Sequence, residues 1–312
     1  VRGLGIKSLS VGVNTLPIRV IAEDGSEKIY NVNVTRKQAV QNVSIFGKQF
    51  EVVDAEPTLT TSSNNTSDVS GLYASTATNT GDPTYYFRGN VTNNYVKFAG
   101  FTWRIVRINE DGTIRIVMQD GINSNGNYRY NLKNNNYTYM YYSNSQAKSQ
   151  LESWYQTNIG SKSDLAKNVA SGNYYCEQAK AKSSDSYTSG SATMTTYNKY
   201  TPNFKCSSDG NNKGVVNANI GLLTYDEVVY AGGYHAQTNM KYYLYNSANT
   251  MWTMSPAGFT SGSANVWYVI TSGDLYNGNV TNIDAIRPVI NLTANTQISG
   301  GDGTKENPFV VE

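Results

Sequence analysis

Trp252-Thr-Met-Ser-Pro256, Val266-Trp267-Tyr268 and Asp284-Ala-Ile-Arg287-Pro-Val-Ile-Asn-Leu292 frame the last quarter of the chain. The first and last of these runs are apolar and strand-like. Between them lies a segment of Tyr, Asn, Asp, Gly and Thr with hardly any charge. Such a layout suits a rigid scaffold that displays a polar, aromatic recognition surface. Trp252, Pro256, Trp267, Arg287 and Pro288 read as framework, with the indoles filling core and the planar donors of Arg287 fixing a loop. Tyr268, Asp274, Tyr276, Asn277, Asn279, Asn282 and Asp284 come from turn-like sequence. Tyr and Asn supply contact area and adaptable hydrogen bonds at low entropic cost, so these residues form the candidate ligand face. The plain alternative is an ordinary solvated loop.

Upstream, closely spaced strands are predicted at Tyr85–Arg88, Tyr95–Phe98, Phe101–Ile108 and Thr113–Met118. Asn109-Glu-Asp-Gly112 joins the last two, and Asp-Gly is a strong hairpin signal. Ala147, Leu151 and Trp154 fall at helical spacing within Ser145–Asn158, which predicts an amphipathic helix packed on that sheet. Thr224-Tyr-Asp-Glu227 fits a capping box, and the helix it opens stops at Gly232-Gly233. Asn307–Glu312 reads as one closing strand. The order of strands, then helices in a long irregular middle, then strands predicts an α+β domain over residues 71–312, with antiparallel sheets, about two helices and long loops.

Residues 1–38 read as β structure. Leu16–Ala22 and Lys28–Thr35 flank a turn carrying Asp24-Gly25, and Tyr30, Val32 and Val34 alternate against Ile29, Asn31 and Asn33. Residues 39–70 hold the short apolar runs Val43–Phe46 and Phe50–Val53 and then the polar tract Thr60–Ser70, a strand-containing connector. The chain opens on Val1-Arg-Gly with no initiator Met, which reads as a piece of something longer.

Charged residues make up only 15% of the 312, while aromatics reach 12% through 25 tyrosines. Solvation therefore falls on Asn, Ser, Thr and Tyr, as on extracellular surfaces that meet carbohydrate or protein; drift in an AT-rich genome would give the same bias. A net charge of +2 without a basic cluster argues against nucleic acid. No apolar run is long enough to span a membrane, and no leader marks a signal peptide. Cys176 and Cys206 lie in a Tyr-, Ser- and Lys-rich stretch and are expected to form a bridge, which places the chain in an oxidising compartment. The alternative is two free thiols in a reduced one. Two thiols and the distant His235 do not make a zinc site, so no metal and no other cofactor is expected.

Two resemblances follow from these motifs. Leu9-Ser-Val-Gly12-Val-Asn14-Thr-Leu-Pro-Ile18, Ala22-Glu-Asp-Gly-Ser26 and Tyr30-Asn-Val-Asn-Val-Thr-Arg36 resemble the C-terminal half of the bacterial cadherin-like β-sandwich repeat, an immunoglobulin-like spacer of surface proteins. Half a sandwich leaves an apolar face and a strand edge uncovered. Phe101-Thr-Trp-Arg-Ile-Val106, Gly221-Leu-Leu-Thr-Tyr-Asp-Glu-Val228, Trp252-Thr-Met-Ser-Pro256 and Ile286-Arg-Pro-Val-Ile-Asn-Leu292 are similar to an uncharacterised domain of Gram-positive gut bacterial surface proteins. That domain in turn looks like the C-type-lectin-like scaffold of formylglycine-generating enzymes and of variable receptor-binding proteins. The resemblance implies ligand display without naming a ligand.

Chemistry finds little support. The chain's one histidine, His235, sits in a Gly-Gly-Tyr-His loop without a nucleophile-elbow motif. Formylglycine-type oxidation needs cysteines near the C-terminal core, and Cys176 and Cys206 lie upstream. Asp226 and Glu227 are adjacent on a helix and diverge, while Asp274, Asp284 and Asp302 lie in polar turns. No EF-hand spacing is present. The expectation is therefore a non-enzymatic extracellular adhesin of the bacterial cell surface, binding a host or microbial glycan or protein through loops. Its rival is a filament or layer subunit whose half-sandwich is completed by another copy; a hydrolase comes third.

Overall fold

The computed structural model describes residues 8–10, 12–36, 41–59, 68–122, 128–171, 174–177, 202–206, 215–235 and 237–312. The chain divides into two compact units, Val1–Val43 and Ser44–Glu312. The connector expected over 39–70 is thus divided; its polar residues 60–67 lie outside the described residues.

In the small unit, β1 (Gly12–Ile21) and β2 (Glu27–Arg36) pair antiparallel, with Leu16 opposite Val32 and Ile18 opposite Tyr30. The turn is tied by Asp24, whose Oδ1 accepts the Ser26 amide. Hydrogen bonds from the Ser26 side chain first and its backbone amide second hold the Asp24 carboxyl below the usual range. Alternation puts Leu16, Ile18, Val20, Tyr30, Val32 and Val34 on one face, yet Tyr30 remains 49% exposed and Val32 41%. A two-stranded ribbon buries too little to be stable by itself in water.

The boundary falls within β3 (Asn42–Ile45), which pairs with β4 (Lys48–Glu51) in a hairpin whose Phe50 packs edge-on against Phe87 of the large unit. Val52 bridges to Leu72, so these residues belong to the large core. β5 (Gly71–Ser75), which is not among the predicted strands, precedes β6 (Thr84–Arg88), β7 (Tyr95–Phe98), β8 (Phe101–Ile108) and β9 (Ile114–Met118), which lie where the sequence predicts them. One edge of β8 is shared: β7 pairs with residues 101–104, and β6 with Arg107 and Ile108. The β8–β9 turn closes through Asn109 and Thr113, with Gly112 at φ 81°.

β10 (Tyr128–Arg129) leads to α1 (Gln146–Tyr155), capped by the Ser145 hydroxyl, which accepts the Lys148 amide. Ala147, Leu151 and Tyr155 are its buried face, whereas Trp154, expected inside, is half-buried. A π-helical turn, Gln156–Gly160, extends α1, and the short α2 (Ser163–Ala166) follows. β11 (Tyr174–Cys176) and β12 (Val215–Asn217) pair antiparallel. The Cys176–Cys206 disulfide is present.

α3 (Tyr225–Ala231) carries the capping box as expected, with Thr224 and Glu227 satisfying each other's amides, and ends on Gly232 at φ 118°. The left-handed cap needs a residue without Cβ. β13 (Tyr234–His235), β14 (Met251–Thr260), β15 (Ser263–Val269) and β16 (Asp274–Asn279) make a four-stranded sheet in the order 13-16-15-14. β17 (Ile283–Asp284) pairs with β10. β18 (Val289–Leu292), β19 (Ile298–Gly300) and β20 (Phe309–Val311) complete an eight-stranded sheet, in which β20 lies between β7 and β19. The architecture is α+β and rich in sheet. Among the described residues two strand pairs, β20 with β7 and β13 with β16, are parallel, as are the isolated bridges Val52–Leu72 and Met251–Ala285.

The framework residues are inside: Trp103, Trp252, Trp267 and Arg287 are all nearly inaccessible. Arg287 donates from Nε to the Met118 carbonyl and from Nη1 to the Leu244 carbonyl, fixing two chain segments with one planar group. Burial beside Arg104 brings its guanidinium down to about 10. Arg88 is likewise buried and donates to the carbonyls of Val229 and Tyr230 at the end of α3, as well as to Asp68. A cation suits that helix end.

Candidate functional site

The residues expected as a loop-borne ligand face fall mostly on strands. Tyr268 is in β15, Asp274, Tyr276, Asn277 and Asn279 are in β16, Asp284 is in β17, and only Asn282 remains in a turn. The turn reading fails at Asn277-Gly278-Asn279 for a packing reason. The Tyr268 ring lies over Gly278, where an added Cβ would come within 2.3 Å of its Cε1. An aromatic covering a strand glycine recovers the contact that glycine cannot make.

Register decides which of these residues share a surface. Trp252, Tyr268 and Tyr276 are successive cross-strand neighbours, so their rings point to the same side of the sheet. Trp252 meets Tyr268 edge-on with centroids 5.4 Å apart, and Tyr268 and Tyr276 follow at 6.5 Å. Exposure grows along the row: Trp252 is 2% exposed and Tyr276 48%. Tyr130 backs Trp252 at 5.6 Å, and the Trp252 Nε1 donates to the Tyr128 carbonyl, so the row is anchored at its buried end.

Asp284 borders the same surface. Its charge acts on the Tyr268 hydroxyl, which burial first and Asp284 second push upward. Burial raises the Asp284 carboxyl to about 6. The unfolded carboxyl titrates near 3.9. Between those values the folded chain holds a proton that the unfolded chain has lost, so this group makes stability fall as pH rises from about 4 to 6. Asp284→Asn is expected to raise the unfolding free energy near pH 7 by about 1 kcal/mol and to leave it unchanged near pH 4. Urea unfolding at the two pH values measures it, and an equal gain at both would refute the assignment to Asp284 ionisation.

The other expected residues do not join this face. Asn277 lies opposite Trp267 and so points to the other side of the sheet. Asn279 Oδ1 accepts the amide and hydroxyl of Thr281, and the Asn282 amide donates to the Asn279 carbonyl, so both asparagines shape the β16–β17 turn. Asp274 sits beside His235, with its Oδ1 buried and no hydrogen-bond partner for that atom among the described residues. Burial lowers the His235 imidazole, and Asp274 partly offsets this. The His235 ring packs perpendicular to Trp267 at 5.0 Å.

The remaining acids are dispersed. Glu227 is buried in an ion pair with Arg115 at 2.5 Å, Asp226 accepts the Asn203 amide, and Asp302 accepts the Thr304 amide in the β19–β20 loop. Among the described residues no three His, Cys, Asp or Glu side chains converge as metal ligands, and no helix is long and apolar enough to cross a membrane. The site as built is an aromatic ledge with one carboxyl, held by a sheet, with the His235 ring 6.3 Å from that of Tyr276. Sequence reasoning missed Trp252 and Tyr130 as its anchors, although the Trp252-Thr-Met-Ser-Pro256 run marked the first as core. Compared with known proteins, the chain matches no family model, no curated protein sequence and no solved structure.

Proposed function

We propose that the large unit is a non-covalent ligand-binding domain of an extracellular bacterial surface protein, built on a C-type-lectin-like scaffold and carried on an immunoglobulin-like spacer. The observation that carries this reading is the aromatic row that runs from Trp252 through Tyr268, on which Asp284 acts, to the half-exposed Tyr276 on a strand of a four-stranded sheet. A rigid Tyr ring offers a large contact area at little entropic cost, and its hydroxyl orients a polar ligand. The disulfide supports an oxidising compartment. The scaffold and source rest on the sequence motifs quoted above. Glycan-array and surface-binding assays with the intact chain test the reading. Tyr276→Ala is expected to weaken ledge binding about tenfold while leaving the thermal transition in place, since the ring is exposed. Binding that survives this change, and survives Tyr268→Ala as well, would move the site elsewhere.

A second reading has its own observation. β1 and β2 expose Val13 at 70%, Ile29 at 63% and Ile21 at 50%, and the ribbon pairs with no third strand among the described residues. Strand addition by another copy would make this a filament or layer subunit. Concentration-dependent assembly by light scattering distinguishes it from a monomeric binder.

A further inference from the structure

Beside the ledge, Ile122, Tyr128, α1 and the π-helical turn after it line an open groove of about 470 Å³, a size within the range of small-ligand sites. Its helix wall is formed by Gln146, Ser149, Gln150 and Ser153, a run at helical spacing that faces away from the buried Ala147, Leu151 and Tyr155. Tyr128 forms the opposite wall and Trp154 closes one end. Trp154 is held by Phe101 at 5.1 Å and Trp103 at 6.3 Å, so an edge of a fixed indole is left to the cleft. The π-helical turn continues the wall: the Thr157 hydroxyl donates to the Ser153 carbonyl and Asn158 Nδ2 to the Trp154 carbonyl. Such turns recur at functional sites.

The chemistry of this lining is selective. None of its side chains is charged, although Lys148 and Glu152 lie on the same helix, where they pair with each other. An anionic ligand would lose its hydration with no counter-charge to replace it, and would face Asp284 across from Tyr128. A purely apolar ligand would match the carbon surface of Ile122, Tyr128 and Trp154 but would return no hydrogen bonds to the amides and hydroxyls among them. The Gln150 Oε1 has no hydrogen-bond partner among the described residues, so that amide is not locked through its oxygen. What matches is a neutral molecule rich in both donors and acceptors, with carbon faces that pack on Trp and Tyr rings. A peptide strand meets that description too, but recognition of its backbone uses a free sheet edge, and this wall is a helix whose backbone groups are internally paired.

We propose that the cleft between α1 and Tyr128 binds a neutral saccharide. It rests on the ligand-binding reading above in giving the large unit a glycan to hold, and it differs in the residues that hold it. Tyr128 lies directly across from Asp284 in the β10–β17 pair, so the cleft abuts the ledge and the two can act as successive subsites on one chain of sugars.

The test uses the intact chain on an array of neutral and acidic oligosaccharides, followed by titration calorimetry with each hit. Ser149→Trp fills the cleft from an exposed helix position and is expected to abolish binding of neutral hits, with an unchanged thermal transition confirming the fold. Gln146→Ala removes one hydrogen-bonding group and is expected to weaken the same hits about fivefold. A neutral hit that persists in Ser149→Trp but is lost in Tyr276→Ala places the sugar on the ledge alone and overturns the cleft. The converse result supports the cleft and overturns the ledge. Hits confined to acidic glycans, a peptide ligand displaced by Ser149→Trp, or no saccharide hit at all also overturn the proposal.

Discussion

Glu227→Ala is expected to lower the unfolding free energy of the large unit by about 4 kcal/mol, the largest effect of any single side chain away from the apolar core. Glu227 is 3% exposed and serves three groups at once. One carboxylate oxygen meets Arg115 at 2.5 Å and Arg107 at 3.5 Å, and the other accepts the Thr224 amide in the capping box. Without it two arginines, both largely withdrawn from water, lose their shared counter-charge, and desolvation is no longer offset. Thr224→Ala is the internal control. It removes the hydroxyl half of the cap and is expected to cost about 1 kcal/mol. Urea unfolding followed by far-ultraviolet circular dichroism and by tryptophan fluorescence measures both. Equal costs for the two variants would show that Glu227 acts as a cap alone.

Removing the bridge is expected to have the next largest effect. Cys176 and Cys206 are 30 residues apart, and closing a loop of that length restrains the unfolded chain by roughly 3 to 4 kcal/mol. For a unit of this size the loss corresponds to a fall in Tm of roughly 10 °C. Calorimetry of Cys176→Ser/Cys206→Ser against the oxidised protein tests it, and a shift below about 2 °C would mean that the loop ends are held without the bond. The bridge also acts on the buried charges. Tyr175, next to Cys176, lies 4.7 Å from the Arg115 guanidinium, and Phe204, two residues before Cys206, lies 4.7 Å from that of Arg107. The disulfide therefore ties together two aromatic lids over one ion-pair cluster. The combined loss in the Glu227→Ala, cysteine-free protein should be smaller than the sum of the separate losses, because both changes open the same region.

How much of this was legible in the chain depends on the reach of each interaction. The capping box at Thr224–Glu227, the Asp111-Gly112 hairpin and the strands from Tyr85 to Met118 are set by contacts a few residues apart, and the structure has them where the sequence put them. The burial of Trp252, Trp267 and Arg287 was readable because large aromatic and planar groups in apolar runs have few other places to go. The ledge was half legible. Tyr268 meets Tyr276, and Asp284 acts on Tyr268, but Asn277, Asn279 and Asn282 were drawn in by composition, and only register separates them. The parallel pairs β20–β7 and β13–β16 join distant segments and leave no local trace. The α1 cleft was hidden for another reason: Gln and Ser on a helix flank read as a solvated surface, and the distinguishing signal was the absence of charge at those positions.

The place of β20 between β7 and β19 bears on how the protein is made. Its Phe309 is fully buried and packs against Phe46 and Phe50, so the last strand of the unit completes a core begun by the first. A chain emerging from the ribosome presents the open edge of β7, with Val96 and Phe98, long before its partner exists. A chain cut before Phe309 would leave that edge unpaired and Phe46 and Phe50 without the ring they pack against.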